Sequence, residues 1–263
     1  MRTIAVVNQK GGTGKTTTSV SLGATLAERG KKVLLVDLDP QHSTTTWLAT
    51  HAPGRGVFDL FAAPEETHLS ALVQPTATAN LQLVAASPWL VGAEKALASV
   101  PGAETIFREK VAALPAGSYD YLLVDCPPTL GILTANALTA VTEMLVPVEC
   151  HVMGLQGLAQ LLQTVDLVRR RLNPSLLITG ILACRLDNRT NHGPEIVEKL
   201  RARFPETLST VIRENVRLAE CPSMGEPITA YAPGSPGAED YRALAEEIIL
   251  QEKQEAYAKA ENE

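Results

Sequence analysis

The chain has 263 residues, 45% of them apolar and only 4% aromatic, with a formal net charge of −6. This suits an aliphatic α/β layer structure and argues against a constitutively basic nucleic-acid binder, though not against a local basic patch. No run of about 18 apolar residues predicts a membrane span, and Cys126, Cys150, Cys184 and Cys221 form no C-x-x-C pair of the zinc or redox kind.

The first strand is expected over about Thr3–Asn8. It starts so close to the N-terminus that no signal peptide fits before it, which points to a cytoplasmic protein. Lys10-Gly11-Gly12-Thr13-Gly14-Lys15-Thr16-Thr17 follows, and then a helix from about Lys15 to Arg29 that stops at Gly30. Strand, glycine loop and helix together make a phosphate cradle. The glycines let backbone amides turn onto an anion, and the helix adds its positive end. Lys15 can reach the β- and γ-phosphates, the Thr16 hydroxyl can ligate Mg²⁺, and Thr17 is placed for the α-phosphate. The ordinary pattern G-x-x-x-x-G-K-[ST] would need glycine at position 9, where Gln9 stands, and a second lysine, Lys10, opens the loop.

Lys32–Asp37 is a short apolar run of the kind buried on both faces of a parallel sheet. Asp37-Leu38-Asp39-Pro40-Gln41 closes it at the strand's carboxyl end, where open α/β sheets place ligands. Residues 42–118 carry weaker signals: short helices or turns over 54–63 and 65–73, a strand over 81–85, and helices from Ser87-Pro88 to about Ser99 and over 103–114. Tyr119–Asp125 is the next buried strand, and Asp125 before Cys126-Pro127-Pro128 has the Walker B arrangement that holds Mg²⁺ directly or through water. A helix over 129–141, a strand over 143–147, an amphipathic helix over 154–172 and a strand over 176–184 follow. The rest is expected as a helix over 193–204, a strand over 210–213, a Pro/Gly-rich loop over 219–237 and a final helix over 238–260.

These segments resemble the deviant Walker A ATPases, and the ParA/Soj partition ATPases in particular. The likeness rests on the two-lysine loop, D-L-D-P-Q, D-C-P-P, Leu130-Gly131, Gly157-Leu158, Asn215-Val216-Arg217-Leu218 and Gly237-Ala238-Glu239. It implies a single P-loop NTPase unit over 1–263, a mostly parallel twisted sheet with helices on both faces. It also implies binding of ATP/ADP with Mg²⁺ through Lys10, Gly11, Gly12, Thr13, Gly14, Lys15, Thr16, Thr17 and Asn215. Lys10 would act across a homodimer interface, Asp39 would orient the attacking water, and Thr16, Asp39 and Asp125 would hold the metal. The ATP-bound sandwich dimer would bind DNA without sequence preference, on the nucleoid, until a ParB-type partner stimulates slow hydrolysis.

Nine of the fourteen arginines fall between Arg169 and Arg217. Of these, Arg185, Arg189, Arg213 and Arg217, with Arg201 and Arg203, are the candidate phosphate-backbone contacts. Arg169-Arg170-Arg171 have a plain reading as cations at a helix C-terminus. The sequence departs from the family where Arg213 and Glu214 replace a proline near the nucleobase and an arginine of the DNA-contacting surface. Other readings stay open: a related ATPase that positions a protein cargo, a metabolic P-loop ligase, or an iron protein, although Cys126 and Cys150 do not sit in matching contexts. The acidic tail, with Glu252, Glu255, Glu261 and Glu263, disfavours the basic membrane helix of MinD.

Overall fold

The computed structural model describes residues 1–49, 54–97, 99–187 and 192–260. β1 (Arg2–Val6) leads through the glycine loop into α1 (Lys15–Glu28), and β2 (Val33–Asp37) follows. Next come α2 (Ser43–Leu48), α3 (Val57–Ala62), β3 (Val73–Pro75), β4 (Leu81–Val84), α4 (Leu90–Leu97), α5 (Ile106–Ala112) and β5 (Tyr121–Asp125). The second half runs α6 (Ile132–Ala140), β6 (Glu143–Glu149), α7 (Val152–Arg171), β7 (Leu177–Leu186), α8 (His192–Arg203) and β8 (Thr207–Arg213). It closes with α9 (Val216–Met224), α10 (Ile228–Tyr231) and α11 (Pro236–Ala260).

Among the described residues the strands form one eight-stranded sheet in the order β3-β4-β2-β5-β1-β6-β7-β8. Every pairing is parallel except β3 with β4. The central strands are apolar on both faces because helices cover both. Ala5, Leu34, Val36, Leu122 and Val124 pack with side chains from α3 to α8. Ile4, Val33, Leu35, Tyr121 and Leu123 face the opposite way, toward α1, α9 and α11. This two-residue alternation makes two cores from one sheet.

The chain visits β1 first and later places β5 and β6 on either side of it. Successive crossovers therefore diverge from β1, and a crevice opens at its carboxyl end, where the glycine loop sits. β2 and β5 pair in a register that sets Asp37 beside Asp125. The two acidic motifs, 88 residues apart in sequence, thus meet at the mouth of that crevice.

Two local expectations need correction. Residues 219–227 are not all loop, because α9 runs to Met224. Asn215 caps its start, accepting a hydrogen bond from the Arg217 amide, and Gly225 ends it in the left-handed conformation (φ +69°). Those two caps outweigh Pro222, whose missing amide costs one bond in a short helix. α2 and the edge strand β3 carry no expectation from sequence, and both are too short for a periodic signal. The helix after Ser87-Pro88 begins at Leu90, with a turn first, in which the Leu90 amide donates to the Ser87 carbonyl.

Candidate functional site

The glycine loop turns through two left-handed residues, Gly12 (φ +77°) and Gly14 (φ +92°), a region that a Cβ disfavours. Gly14 is also the N-cap of α1, and no side chain caps that end. The first amides of a 14-residue helix are thus left for a ligand, at its positive pole. Lys15 is only 8% exposed, and its Nζ lies 3.3 Å from the Lys10 carbonyl oxygen. Burial lowers its pKa, while Asp125 and Asp39 pull it back up. A partly desolvated ammonium beside unclaimed amides is suited to a polyanion.

Behind the loop lies Asp125, fully buried at the end of β5. One of its oxygens accepts from Thr16 (2.9 Å) and Thr44 (2.7 Å), the other from Ser19 (3.1 Å). Asp37 is equally buried and accepts from the Thr45 amide (2.8 Å), the Thr45 hydroxyl (2.7 Å) and the Asp39 amide (3.1 Å). Burial pushes both carboxyls above the ordinary range, and each has a neighbouring carboxylate that adds to the shift. The hydrogen bonds oppose that rise without cancelling it. Asp39 accepts from the Gln41 amide (2.9 Å), which folds the 39–42 turn.

Thr44, Thr45 and Ser19, whose hydroxyls hold the two buried carboxylates, are the site neighbours that sequence reasoning passed over. The signal was present as four consecutive hydroxyls, Ser43-Thr44-Thr45-Thr46, directly after D-L-D-P-Q. α2 turns two of them inward onto the paired carboxylates.

A cavity of about 1110 Å³ opens in front of the loop. Gly11, Gly12, Gly14, Lys15, Thr16, Thr17 and Asp39 line it, together with Gln41, Pro128, Arg185, Arg213, Asn215, Pro236 and Tyr241. Most of the expected nucleotide-site residues therefore share one wall system. Thr13 is buried beneath the loop, with its hydroxyl 3.4 Å from the Lys10 carbonyl. Lys10 does not line the cavity, and its Nζ sits 2.7 Å from Glu149 Oε2.

The arginines are spread differently. Arg185 is about half exposed and reaches Glu149 (3.2 Å) and Glu214 (3.5 Å). Arg217 pairs with Glu220 (2.9 Å), and Arg201 reaches Glu198 (3.4 Å) and the Ser209 carbonyl (3.0 Å). Arg203 lies over the Phe204 ring. Arg213 makes a two-pronged contact with Asp240 on α11 and also reaches Glu239, which holds its guanidinium firmly protonated. It is a strut between β8 and α11 at the cavity rim. Arg189 lies outside the described residues.

Comparison with known proteins agrees with this construction. A family profile described as an AAA domain matches residues 1–178. The chain is 48% identical to the chromosome-partitioning ATPase Soj of Thermus thermophilus, over 95% of this chain and 96% of that one. It is 44% identical to the sporulation initiation inhibitor protein Soj of Bacillus subtilis, over 93% and 97%. A solved structure of cobyrinic acid a,c-diamide synthase from Mycobacterium smegmatis, with an ATP analogue and magnesium bound, superposes with a TM-score of 0.83 at 34% identity, covering 96% of each chain. With a two-lysine glycine loop on the central strand, paired carboxylates behind it and this identity to Soj proteins along nearly its whole length, the chain belongs to the ParA/Soj family of P-loop ATPases.

Proposed function

We propose that the protein is a Mg²⁺-dependent ATPase switch whose ATP-bound homodimer binds DNA and drives chromosome or plasmid segregation with a ParB-type partner. One observation carries the nucleotide part of this reading. Lys15, Thr16 and Asp39 line a cavity large enough for a nucleotide, at the uncapped N-terminus of α1, with Asp125 hydrogen-bonded to Thr16 directly behind.

Among the described residues no three His, Cys, Asp or Glu side chains converge as a metal cage. A hard cation there would be held by the Thr16 hydroxyl, by Asp39, by Asp125 directly or through water, and by phosphate oxygens. Mg²⁺ would supply charge neutralisation on the phosphates. The chain's own part is positioning. The loop amides and Lys15 bind the phosphates, Thr17 stands at the α-phosphate end, Asp39 orients a water, and Asn215 and the α9 N-terminus close the base side of the cavity. Asn215 has its Oδ1 committed to capping α9, so its amide nitrogen is the atom left to meet a base. Residues 1–263 act as one unit in this reading, because both halves of the chain contribute to one sheet and one cavity.

DNA contact falls to Arg185, Arg217 and the Arg201–Arg203 edge, with Arg213 set back as a strut. The pairs of Arg185 and Arg217 are exposed enough that a phosphate can replace the carboxylate at little cost. The names of the Soj relatives favour a chromosome as cargo. Slow turnover without a partner, and residence on the nucleoid in the cytoplasm, follow from the same cycle.

Lys10→Ala tests the cycle. Binding of ATP by the monomer should stay within a few-fold of wild type, while ATP-dependent dimerisation in sedimentation velocity is lost. Unchanged dimerisation would remove Lys10 from the interface.

The competing reading is an ATP-dependent ligase, which the Mycobacterium smegmatis structure favours. Identity of 44–48% to Soj proteins, against 34% there, weighs toward the switch. Nucleotide turnover that required a small carboxylic acid and an amide donor would favour the ligase.

A further inference from the structure

Lys10 is held at both ends. Its amide donates to Asn8 Oδ1 (3.0 Å), and its carbonyl faces the Lys15 ammonium (3.3 Å). Its side chain swings away from the cavity to the carboxyl end of β6, where Nζ donates to Glu149 Oε2 at 2.7 Å. The other Glu149 oxygen takes Arg185 at 3.2 Å, from the end of β7. Arg185 itself stands in the left-handed region (φ +57°) and also reaches Glu214 at 3.5 Å. One carboxylate therefore gathers the two cations that the proposed cycle sends elsewhere: Lys10 to a partner's nucleotide, Arg185 to DNA.

We propose that Glu149 is a positioning residue that retains Lys10 on its own subunit and couples its release to Arg185, so that dimer formation requires the exchange of this carboxylate for the partner's phosphates. The inference rests on the reading of Lys10 given above. Three features support it beyond contact alone. The Lys10–Glu149 pair is charge-assisted and short, and the lysine bond is the leading cause of the lowered Glu149 pKa. The pair is partly exposed, with side chains 41% and 25% accessible, so it is weak enough to be exchanged. Phosphate oxygens carry more negative charge than one carboxylate, so the exchange runs toward the nucleotide when two subunits meet. Arg185 competes for the same carboxylate. Its presence loosens the grip on Lys10, and once Lys10 departs Glu149 is left to Arg185, which draws the guanidinium away from Glu214.

The test uses the full chain and a non-hydrolysable ATP analogue with Mg²⁺, followed by sedimentation velocity. Binding of the analogue to dilute monomer serves as the check on folding. At low salt, Glu149→Gln should reach half-dimerisation at an analogue concentration about 2–5-fold below wild type, the range expected of an exposed ion pair. Arg185→Ala should shift it about 2-fold the other way. The gap between Glu149→Gln and wild type should close in about 1 M salt, where the Debye length is about 3 Å. Lys10→Ala should not dimerise, and Lys10→Ala/Glu149→Gln should match it. Equal or higher thresholds for Glu149→Gln at low salt, with Lys10→Ala still unable to dimerise, would overturn the role of Glu149 alone. Dimerisation of Lys10→Ala at the wild-type threshold would overturn the reading of Lys10 and this inference with it.

Discussion

Lys15→Ala is expected to weaken ATP binding by at least about 100-fold while leaving the fold intact. Among the described residues Lys15 is the lysine that lines the cavity, and it stands at the end of the helix whose amides have no side-chain cap. Two charge-assisted contacts with phosphate oxygens are worth about 3 kcal/mol or more together, which sets the size of the loss. Stability should change little. In the folded chain Nζ makes a long contact with one carbonyl and carries a desolvation penalty that the substitution relieves. Titration calorimetry with ATP, beside a thermal melt, separates the two effects. Wild-type affinity with an unchanged melt would place the phosphates elsewhere.

Asp125→Asn should be more stable than wild type and less active. Asp125 and Asp37 are fully buried neighbours, and burial together with adjacent carboxylates raises both above their unfolded values. A carboxyl with a raised folded pKa binds more protons folded than unfolded. Its contribution therefore declines as pH climbs from the ordinary carboxylate range near 3.8 through the folded value. In Asp125→Asn one of the two charges is gone. Thr16, Ser19 and Thr44 present rotatable hydroxyls that can accept from an amide as readily as they donate to a carboxylate. Urea unfolding in EDTA should show the variant on the order of 2 kcal/mol more stable than wild type at pH 8, with the gap shrinking toward pH 5. Hydrolysis should fall about 10–100-fold, the usual cost of losing an outer partner of a metal site. A variant less stable than wild type at pH 8, or a gap that ignores pH, would mean that the pair is not strained by charge.

The sheet was legible because its strands are unusual in sequence. Val33–Asp37 and Tyr121–Asp125 are apolar without alternation, as strands covered on both faces are. The loop was legible because a cradle needs glycine at fixed places, and Gly12 and Gly14 take the left-handed conformations expected of it. What lay beyond reach depends on register. Nothing local says that Asp37 will lie beside Asp125, that Thr44 will reach across to it, or that Lys10 will find Glu149 at a separation of 139 residues. α9 was misread for a different reason. Pro222 and Pro227 outweighed a sound N-cap and C-cap, although a helix of nine residues tolerates one missing amide. The arginines between 185 and 217 looked like one patch in sequence, apart from the Arg169–Arg171 run at a helix end. In three dimensions Arg169 serves the end of α7, where its Nε donates to the Leu176 carbonyl, and Arg213 braces β8 against α11.

The direct test of the switch is binding of a non-specific DNA duplex by fluorescence anisotropy, without nucleotide, with ADP, and with ATP plus Mg²⁺, across a salt series. Tight binding confined to ATP, weakening steeply with salt and lost in Arg217→Ala, is the predicted result. Failure to bind DNA in any state, with ATP still bound and hydrolysed, would contradict it and leave a nucleotide switch that acts on a protein cargo.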